Sequence, residues 1–261
     1  MNPLDAFRLD GRVAFVSGGG GAIGAALAEA MAAAGASIVA ADLDEGRAGE
    51  TAERVRAAGG QAISFGADIT READAERVVA GAIDRFGRLD IVVNAVGGGA
   101  GRVLFEAQDY PRDAWDWIME LNLRSTLIGT QAAARAMIRA GNGGRVINIS
   151  SVRALLGINA GYSAYVAAKG AISSLTRQWA TEWAKHGITV NAISPTFVDT
   201  PQVASLLADP EFTANLVNRV PLRRVGQTDD LVGAVIFFAS DASSFVTGQI
   251  LGIDGGLTAT Q

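Results

Sequence analysis

Short apolar runs alternate with long alanine-rich segments along almost the whole chain, and this alternation limits the folds that the sequence can adopt. The runs are rich in β-branched residues and apolar on both faces, which is typical of parallel strands covered by helices on each side. The pattern predicts an α/β fold: a Rossmann-like, doubly wound sheet of about seven parallel strands with helices on both faces. The predicted strands are 13–16, 37–40, 62–65, 91–94, 146–149, 189–193 and 250–253.

No proline- or serine-rich linker, charge block or internal repeat interrupts this pattern. A length of 261 residues and a hydrophobic content of 49% suit one large core. We therefore predict a single dinucleotide-binding and catalytic domain over residues 1–261.

The composition disfavours several classes of function. A net charge of −5, with 27 acidic and 22 basic residues spread along the chain, leaves no basic stripe for nucleic acid or anionic lipid. The absence of cysteine and the single histidine, His186, argue against thiolate catalysis, a Ser-His triad and a metal site. His186, in K-H-G, is expected to cap a helix end.

The N-terminal residues lack a basic region followed by an apolar run, and no apolar stretch reaches the ~20 residues of a membrane span. We therefore expect a cytoplasmic protein with neither a membrane nor a nucleic acid as partner.

The first predicted strand leads directly into S-G-G-G-G-A-I-G (17–24), which is followed by a helical segment. Glycines let the backbone approach a pyrophosphate, and the N-terminus of the next helix supplies unpaired N–H groups. The placement between strand and helix favours a dinucleotide site over a plain tight turn. The predicted contacts in this turn are Gly18, Gly21, Ile23 and Gly24.

Asp42 ends the second predicted strand, 18 residues after Gly24. An acid about 20 residues beyond the glycines commonly binds the adenosine ribose. Its carboxylate would repel a 2′-phosphate, and neither Gly19 nor Leu43, itself a predicted cofactor contact, offers a basic group, so we predict NAD rather than NADP as cofactor. Asp42 could instead start a turn, but Asp44 is the better helix cap, which leaves Asp42 free for a ligand.

Two further loops should border the cofactor, because ligands of doubly wound sheets collect at the carboxyl ends of the strands. Asp68 and Ile69, after the third strand, are predicted to flank the adenine. Asn94 and Gly97, after the fourth, are predicted to line the cofactor groove. Asn94 has an equally good alternative role, which is to tie two strand ends together.

Tyr165 and Lys169 are four residues apart in Y-V-A-A-K, in a chain with only three tyrosines and two lysines. On a helix this spacing places both side chains on one face. An ammonium beside a phenol stabilises the phenolate and lowers the phenol pKa from its usual ~10. The pair is therefore a candidate acid/base catalyst, with two solvated helix residues as the alternative.

The order of these motifs resembles the short-chain dehydrogenase/reductase family over about residues 9–256. The shared motifs are S-G-x-x-x-A-I-G, A-D, A-D-I, N-A-V-G, an asparagine at 122, I-S-S, Y-x-x-x-K, N-A-I-S-P-T-F-V-D-T and T-G-Q-I-L-G-I-D-G-G. The resemblance implies hydride transfer between a nicotinamide dinucleotide and an alcohol or carbonyl.

The resemblance also assigns roles to individual residues. Tyr165 matches the acid/base that exchanges the proton of the substrate oxygen, and Lys169 matches the residue that binds the nicotinamide ribose and lowers the tyrosine pKa. Ser151 matches the residue that hydrogen-bonds the substrate oxygen. Asn122 matches a helix asparagine that holds a water in a proton relay. Further implied cofactor contacts are Pro195, Val198 and Thr200.

The chain departs from the family pattern at four places. Ala22 replaces a glycine of the phosphate turn, Ala95 replaces an asparagine and Thr196 replaces the glycine after the proline. Ser151 and Tyr165 are fourteen positions apart, where thirteen is commoner. None of these changes removes a catalytic group, but the last two fall at the substrate pocket.

By analogy with the family, the segments 153–162 and 196–219 should form the walls of the substrate pocket. The stretch T-P-Q-V-A-S-L-L-A-D-P-E-F resembles a mobile lid. Arg153 and Arg102 are able to pair with a carboxylate or phosphate, but we predict surface positions for both, because the chain has twenty arginines. The residues that suit a hydrophobic or cyclic substrate are Leu155, Leu156, Tyr162 and Phe197.

The predicted function is that of an NAD(H)-dependent oxidoreductase that interconverts a secondary alcohol and a ketone by hydride transfer, with Tyr165 as acid/base. An NADPH-dependent 3-oxoacyl thioester reductase and a dinucleotide-sensing regulator without turnover are the alternatives. Asp42 argues against the first, and the complete Asn-Ser-Tyr-Lys set argues against the second.

Relatives in this family often form dimers or tetramers, so a homo-oligomer is expected. Helices around 109–140 and 163–186 would then face the partner subunits. Trp179 and Trp183, one turn apart, are candidates for the core or for such an interface.

Overall fold

The computed structural model describes residues 2–260 and is built on one fully parallel seven-stranded sheet in the order β3-β2-β1-β4-β5-β6-β7. Each predicted strand lies within an observed one, and the doubly wound α/β fold is confirmed. Met1 and Gln261 of the predicted 1–261 domain lie outside the described residues. The strands are β1 Val13–Ser17, β2 Ser37–Asp42, β3 Ala62–Gly66, β4 Ile91–Asn94, β5 Gly144–Ile149, β6 Ile188–Pro195 and β7 Ile250–Ile253.

Helices connect the strands and cover both faces of the sheet. They are α1 Ala22–Ala33, α2 Glu45–Ala57, α3 Glu72–Phe86, α4 Arg112–Met119, α5 Ser125–Ala140, α6 Ser163–Trp183, α7 Ala204–Leu207, α8 Pro210–Arg219 and α9 Asp229–Ala239. No helix within residues 2–260 is long and apolar enough to cross a bilayer.

The sheet separates two hydrophobic cores, which explains why its strands are apolar on both faces. In β1, Ala14 and Val16 belong to the core on one face, with α1 and α9, whereas Val13 and Phe15 belong to the core on the other, with α3, α5 and α6. Trp179 is 5% exposed and belongs to the second core, where Trp183 stacks on it at 5.3 Å between ring centroids. Trp179 is therefore a core residue.

Helices α4 and α5 form one continuous segment that is interrupted by a π-helical turn at Glu120–Arg124. The wide turn disturbs the regular hydrogen bonds of the helix, and nearby hydroxyl groups compensate. Ser125 Oγ donates to the Leu121 carbonyl at 2.6 Å, and Thr126 Oγ1 donates to the Asn122 carbonyl at 2.9 Å. Such turns are frequent at functional sites, and this one contains Asn122.

The strand order reverses at β1 and β4, which is the topological switch point of the sheet. From β1 the chain adds β2 and β3 on one side, and then returns to add β4 to β7 on the other. The loops that follow β1 and β4 therefore diverge and leave a crevice at the carboxyl edge of the sheet, which is where such folds bind ligands. At the opposite edge, His186 ends the short turn after α6 and Gly187, at φ 72°, caps it.

Candidate active site

The turn after β1 forms a cradle of backbone groups. Gly18 has φ +71°, and the Gly21 N–H donates to its carbonyl at 3.0 Å. A methyl group on Gly24 would overlap that same carbonyl, so only glycine lets α1 approach the turn so closely. Ala22 begins α1, and the first N–H groups of that helix, including that of Ile23, lack partners within the helix. These groups fit a pyrophosphate.

Asp42 connects the end of β2 to this turn. Its Oδ2 accepts from the Gly20 N–H at 3.0 Å, and its Oδ1 accepts from the Asp44 N–H at 3.1 Å. Two backbone N–H groups therefore already hold the Asp42 carboxylate, and each of its oxygens keeps a second acceptor position for a ligand. Asp44 caps α2 as predicted, accepting from the Arg47 N–H at 3.2 Å.

Arg47 is a basic residue beside this turn that the sequence analysis overlooked. A methyl group on Gly20 would lie 2.7 Å from its Cβ, so the first turn of α2 packs directly on the phosphate turn. The signal was available, because an arginine five residues beyond Asp42 falls in the first turn of the following helix.

A cleft of about 460 Å³ opens between the ends of β2 and β3. Asp68 borders it, with its carboxylate accepting from the Thr70 hydroxyl at 2.7 Å. Ile69 is 3% exposed and its side chain belongs to the core, which leaves only its backbone for the predicted place beside the adenine. The residues that line the cleft are Leu43, Glu45, Gly66, Ala67, Asp68, Arg71 and Asp74.

Asn94, at the end of β4, ties neighbouring strands together. Its amide nitrogen donates to Asn148 Oδ1 at 2.9 Å and to Thr130 Oγ1 at 2.7 Å. This is the alternative role that the sequence left open. Its own Oδ1 is buried against Gly129 of α5 and accepts no hydrogen bond within residues 2–260.

Asn122 and Lys169 converge on Gly97. A methyl group on Gly97, whose φ is +157°, would lie 2.8 Å from Asn122 Oδ1 and 3.1 Å from Lys169 Nζ. Asn122 is fully buried, accepts from the Gly98 N–H at 2.8 Å and donates to the Gly98 carbonyl at 3.1 Å. Lys169 Nζ donates to the Ile149 carbonyl at 2.8 Å.

Ser151 and Tyr165 complete the cluster. Ser151 follows β5, and Tyr165 lies in the first turn of α6, which places Lys169 one turn further along the same face. The Lys169 ammonium is 5.6 Å from the centroid of the Tyr165 ring. All four residues predicted to be catalytic therefore meet at the carboxyl edge of the sheet.

The electrostatics of the pair differ from the prediction. Burial raises the pKa of Tyr165, and this effect exceeds the lowering by a hydrogen bond to Ser151 and by the charge of Arg153. Burial also lowers the pKa of Lys169 from 10.5 to about 8. In the protein alone, the expectation that Lys169 brings the Tyr165 pKa toward neutral is wrong, because desolvation dominates for both groups.

The segment after β6 supplies the remaining predicted cofactor contacts. Pro195 ends the strand, Val198 is 6% exposed and pairs with Gly226, and Thr200 is half-buried. The hydroxyl groups of Ser194 and Thr196 are buried without a hydrogen-bond partner in the described part of the chain. Buried hydroxyls without partners are uncommon and are consistent with a site for a polar ligand.

Arg153 contradicts its predicted surface position. It is 5% exposed, and its Nη1 donates to the Gly157 carbonyl at 3.0 Å. Arg102 is exposed, as predicted. Local sequence gave no signal for the burial of Arg153, because its guanidinium is held at Gly157, in a loop with no regular structure.

The predicted walls of the pocket lie near this cluster. Tyr162 contacts Tyr165 edge to face, with 6.3 Å between ring centroids. Leu155 is 69% exposed, whereas Leu156 is half-buried.

The predicted lid, residues 200–212, contains α7 and the first turn of α8. Phe197 packs against Phe212 of α8 at 5.6 Å, and the Gln202 side chain lies directly against Gly98. The segment therefore reaches the loop after β4, and its mobility stays a prediction.

Comparisons with known proteins agree with this geometry. The family model described as enoyl-(acyl carrier protein) reductase matches residues 20–258. The chain is 38% identical to 2-dehydro-3-deoxy-D-gluconate 5-dehydrogenase of Escherichia coli (strain K12), over 98% of this chain and 99% of that protein.

Two solved structures are similar over nearly the whole chain. A gluconate 5-dehydrogenase from Burkholderia cenocepacia J2315, in complex with NADP and tartrate, superimposes with a TM-score of 0.90 at 39% identity, covering 99% of each chain. A 7α-hydroxysteroid dehydrogenase in complex with NADH and 7-oxo glycochenodeoxycholic acid gives a TM-score of 0.91 at 34% identity, covering 98% of each chain. With its parallel sheet, its glycine turn and its Ser-Tyr-Lys cluster, the chain belongs to the short-chain dehydrogenase/reductase family of oxidoreductases.

Proposed function

We propose that this protein is an NAD(H)-dependent oxidoreductase that interconverts a secondary alcohol and a ketone, with Tyr165 as the acid/base. The observation that carries the proposal is the convergence of Asn122, Ser151, Tyr165 and Lys169 beside the glycine cradle of β1. A sensor of dinucleotides would have no use for an acid, a hydroxyl donor and a buried ammonium in one cluster.

The residues present fit a nicotinamide dinucleotide. Gly18 and Gly24 let the turn and the start of α1 pack closely together, which presents the unpaired N–H groups of α1 to a pyrophosphate. The unpaired hydroxyl of Thr196 lies along the same edge of the sheet. When bound, the dinucleotide supplies or accepts the hydride.

The chain's own residues handle the oxygen and its proton. Tyr165 exchanges the proton of the substrate oxygen, and the Ser151 hydroxyl holds that oxygen and stabilises charge as it develops. Lys169, fixed by the Ile149 carbonyl, carries the positive charge that favours the phenolate once a ligand joins the site. Asn122 holds the loop at Gly98, next to Lys169.

The preference for NAD rests on the carboxylate of Asp42. It stands at the end of β2, already held by two backbone N–H groups, where a second negative charge from a 2′-phosphate would be repelled. One similar structure contains NADP and another contains NADH, so the family uses both. Arg47, on the neighbouring turn, is the group that would favour NADP.

The experiment is a turnover assay with the purified protein. NAD or NADP is mixed with polyols, cyclic alcohols, sugar acids and other hydroxy acids, and NADH or NADPH with ketones and 3-oxoacyl thioesters, while absorbance of the reduced cofactor is followed. We expect oxidation of at least one secondary alcohol, with NAD preferred. Faster reduction of a thioester with NADPH would favour the reductase alternative, and NADH binding without any turnover would favour the regulator.

Tyr165→Phe is the matched variant, because it removes one hydroxyl and keeps the ring. We expect turnover to fall at least ~10³-fold, of the order that general acid/base catalysis contributes. Cofactor affinity, measured by quenching of intrinsic fluorescence, should change less than about threefold. Retained turnover would assign the acid to another residue.

We also propose that the protein is a cytoplasmic homo-oligomer, a dimer or a tetramer. Exposed apolar side chains before and within α4 support assembly: Leu104 is 43% exposed, and Phe105 and Trp117 are each 39% exposed.

A further inference from the structure

Arg153 is a buried arginine next to the proposed acid/base cluster. It lies two residues after Ser151 in a short 3₁₀ turn, Val152–Ala154, and its backbone N–H donates to the Ser151 hydroxyl at 3.2 Å. Its side chain is 5% exposed, and Nη1 donates to the Gly157 carbonyl at 3.0 Å. Its position is therefore fixed by the same turn that holds Ser151.

The positive charge of Arg153 is not balanced by the protein. Within residues 2–260, no carboxylate oxygen lies within 4.0 Å of its guanidinium. In the same part of the chain, Nε and Nη2 make no hydrogen bond, and neither atom is fully enclosed. A buried cation without a partner is unfavourable, so the site is incomplete without an anion.

The guanidinium lies close enough to Tyr165 and Tyr162 for its charge to affect their pKa values. Its charge lowers the pKa of Tyr165 and that of Tyr162, in opposition to the effect of burial. Burial lowers the pKa of Arg153, and the nearby charge of Arg219, the last residue of α8, lowers it further. Arginine keeps its proton over the accessible pH range, so the two like charges are not relieved by deprotonation.

We propose that Arg153 binds a carboxylate of the substrate, and that the alcohol is therefore a hydroxy acid and the ketone an oxo acid. This inference rests on the proposed function, because it names the substrate class of the same site.

The free nitrogens of Arg153 match a carboxylate. Nε and Nη2 point the same way and form a planar pair that binds two oxygens. Arg88 uses this pair in the same protein, binding Asp90 at 2.8 Å through Nε and at 2.7 Å through Nη2. Arg219 adds a second positive charge nearby, which further favours an acid over a neutral polyol or a cyclic alcohol of the same size.

The test compares an acid with the alcohol of the same carbon skeleton. The pairs are lactate with propane-1,2-diol and gluconate with glucitol, each titrated calorimetrically into the NADH-loaded protein and also assayed for turnover with NAD. The variants are Arg153→Met, Arg153→Lys and, as a control, Arg139→Gln, which removes an exposed arginine at the far end of α5.

In at least one pair, we expect the wild type to bind the acid at least ~10-fold more tightly than the alcohol. Arg153→Met should lower acid binding and kcat/KM by about 10²-fold, mainly through KM, because loss of one partner of a desolvated ion pair costs about that much. Its effect on the alcohol should stay within about threefold, Arg153→Lys should recover part of the loss, and Arg139→Gln should match the wild type.

Equal binding of acid and alcohol in both pairs by the wild type would overturn the inference, even if Arg153→Met fails to fold. An equal loss for acid and alcohol in a folded Arg153→Met variant would also overturn it, since that is the result of a purely structural role. Selective acid binding without turnover would support the anion site while counting against the proposed function, so the two failures are distinguishable.

Discussion

At the scale of single residues, the buried charge of Lys169 lowers the stability of the fold, although the proposed function needs that charge. It is 3% exposed, and burial lowers its pKa from 10.5 to about 8. The unfolded chain therefore holds this proton more tightly than the folded chain between about pH 8 and pH 10.5, and stability contributed by this group rises with pH across that window. Below about pH 8, Lys169 is protonated in both the folded and the unfolded chain, and its buried charge then destabilises the fold to the full extent.

The first prediction concerns this window. The free energy of unfolding of the wild type, minus that of Lys169→Met, should increase by about 2–3 kcal/mol between pH 7.5 and pH 10.5, since one pKa unit corresponds to about 1.4 kcal/mol. Urea unfolding at a series of pH values measures the difference. Lys185→Met is the control, because it removes an exposed lysine, the only other one in the chain. A flat difference would contradict the burial of a charged Lys169.

The second prediction concerns the cofactor. Asp42→Asn removes the charge that opposes a 2′-phosphate while keeping an acceptor for the Gly20 N–H. We expect the ratio of kcat/KM for NADP to that for NAD to rise ~10–100-fold, and a further Arg47→Gln change to reverse part of the gain. Asp44→Asn makes the same charge change two positions away and preserves the helix cap. An equal shift in Asp44→Asn would show a general charge effect instead.

Single residues also show where sequence interpretation fails. Tyr165 and Lys169 were identified by spacing alone, because a helix fixes where residues four apart lie. Arg153 was placed at the surface by the sequence, because local sequence does not show how the chain packs around a residue. The loop that holds its guanidinium at the Gly157 carbonyl continues to Gly161, which packs against the backbone of Phe105, 2.6 Å from where a Gly161 methyl group would lie.

At the scale of elements, two glycines that both lie within helices have opposite roles. Gly24, in α1, allows the helix to touch the Gly18 carbonyl, whereas Gly49, in α2, has open space where a side chain would be.

The third prediction uses this contrast. Gly24→Ala should abolish cofactor binding or lower the melting temperature, because the methyl group displaces α1 from the phosphate turn. Gly49→Ala should raise the free energy of unfolding by about 0.5–1 kcal/mol, as alanine does within helices, and leave kcat/KM unchanged. Thermal unfolding with and without NADH measures both. Normal cofactor binding by Gly24→Ala would show that the turn yields without loss.

The strands and the helices differ in how far the sequence predicted them. Each strand was found from its short β-branched apolar run, which is typical of parallel strands covered by helices. The π-helical turn at Glu120–Arg124 was not, because its residues have ordinary helical propensities. It is stabilised by the hydroxyl groups of the next turn and by Gly98, a residue 24 positions away in the chain from Asn122.

At the scale of the whole molecule, exposed aromatic surface is left around α4. Trp117 of this helix also reaches back over the loop after β4, where a methyl group on Gly99 would lie 2.7 Å from its ring. A partner subunit that covers Trp117 would therefore also press on a loop that borders the crevice.

The fourth prediction is that the protein in solution has a mass of two or four times 26.9 kDa, measured by light scattering after size exclusion. Trp117→Glu should shift the distribution toward smaller species, since it places a charge in an apolar contact. If assembly holds the loop after β4 in place, Trp117→Glu should also weaken cofactor binding. A single 26.9 kDa species at micromolar concentration would contradict the prediction.

The pairing of β1 with β4 has a consequence for synthesis of the chain. Ser17 of β1 pairs with Asn94 of β4, so the pairing of these two strands closes a long loop of the chain, from residue 17 to residue 94. While the polypeptide leaves the ribosome, β1, β2 and β3 can meet first, but the β4 side of the crevice does not exist until Ile91–Asn94 has emerged. A nascent chain halted before β4 would therefore expose one edge of β1 to aggregation or to chaperones.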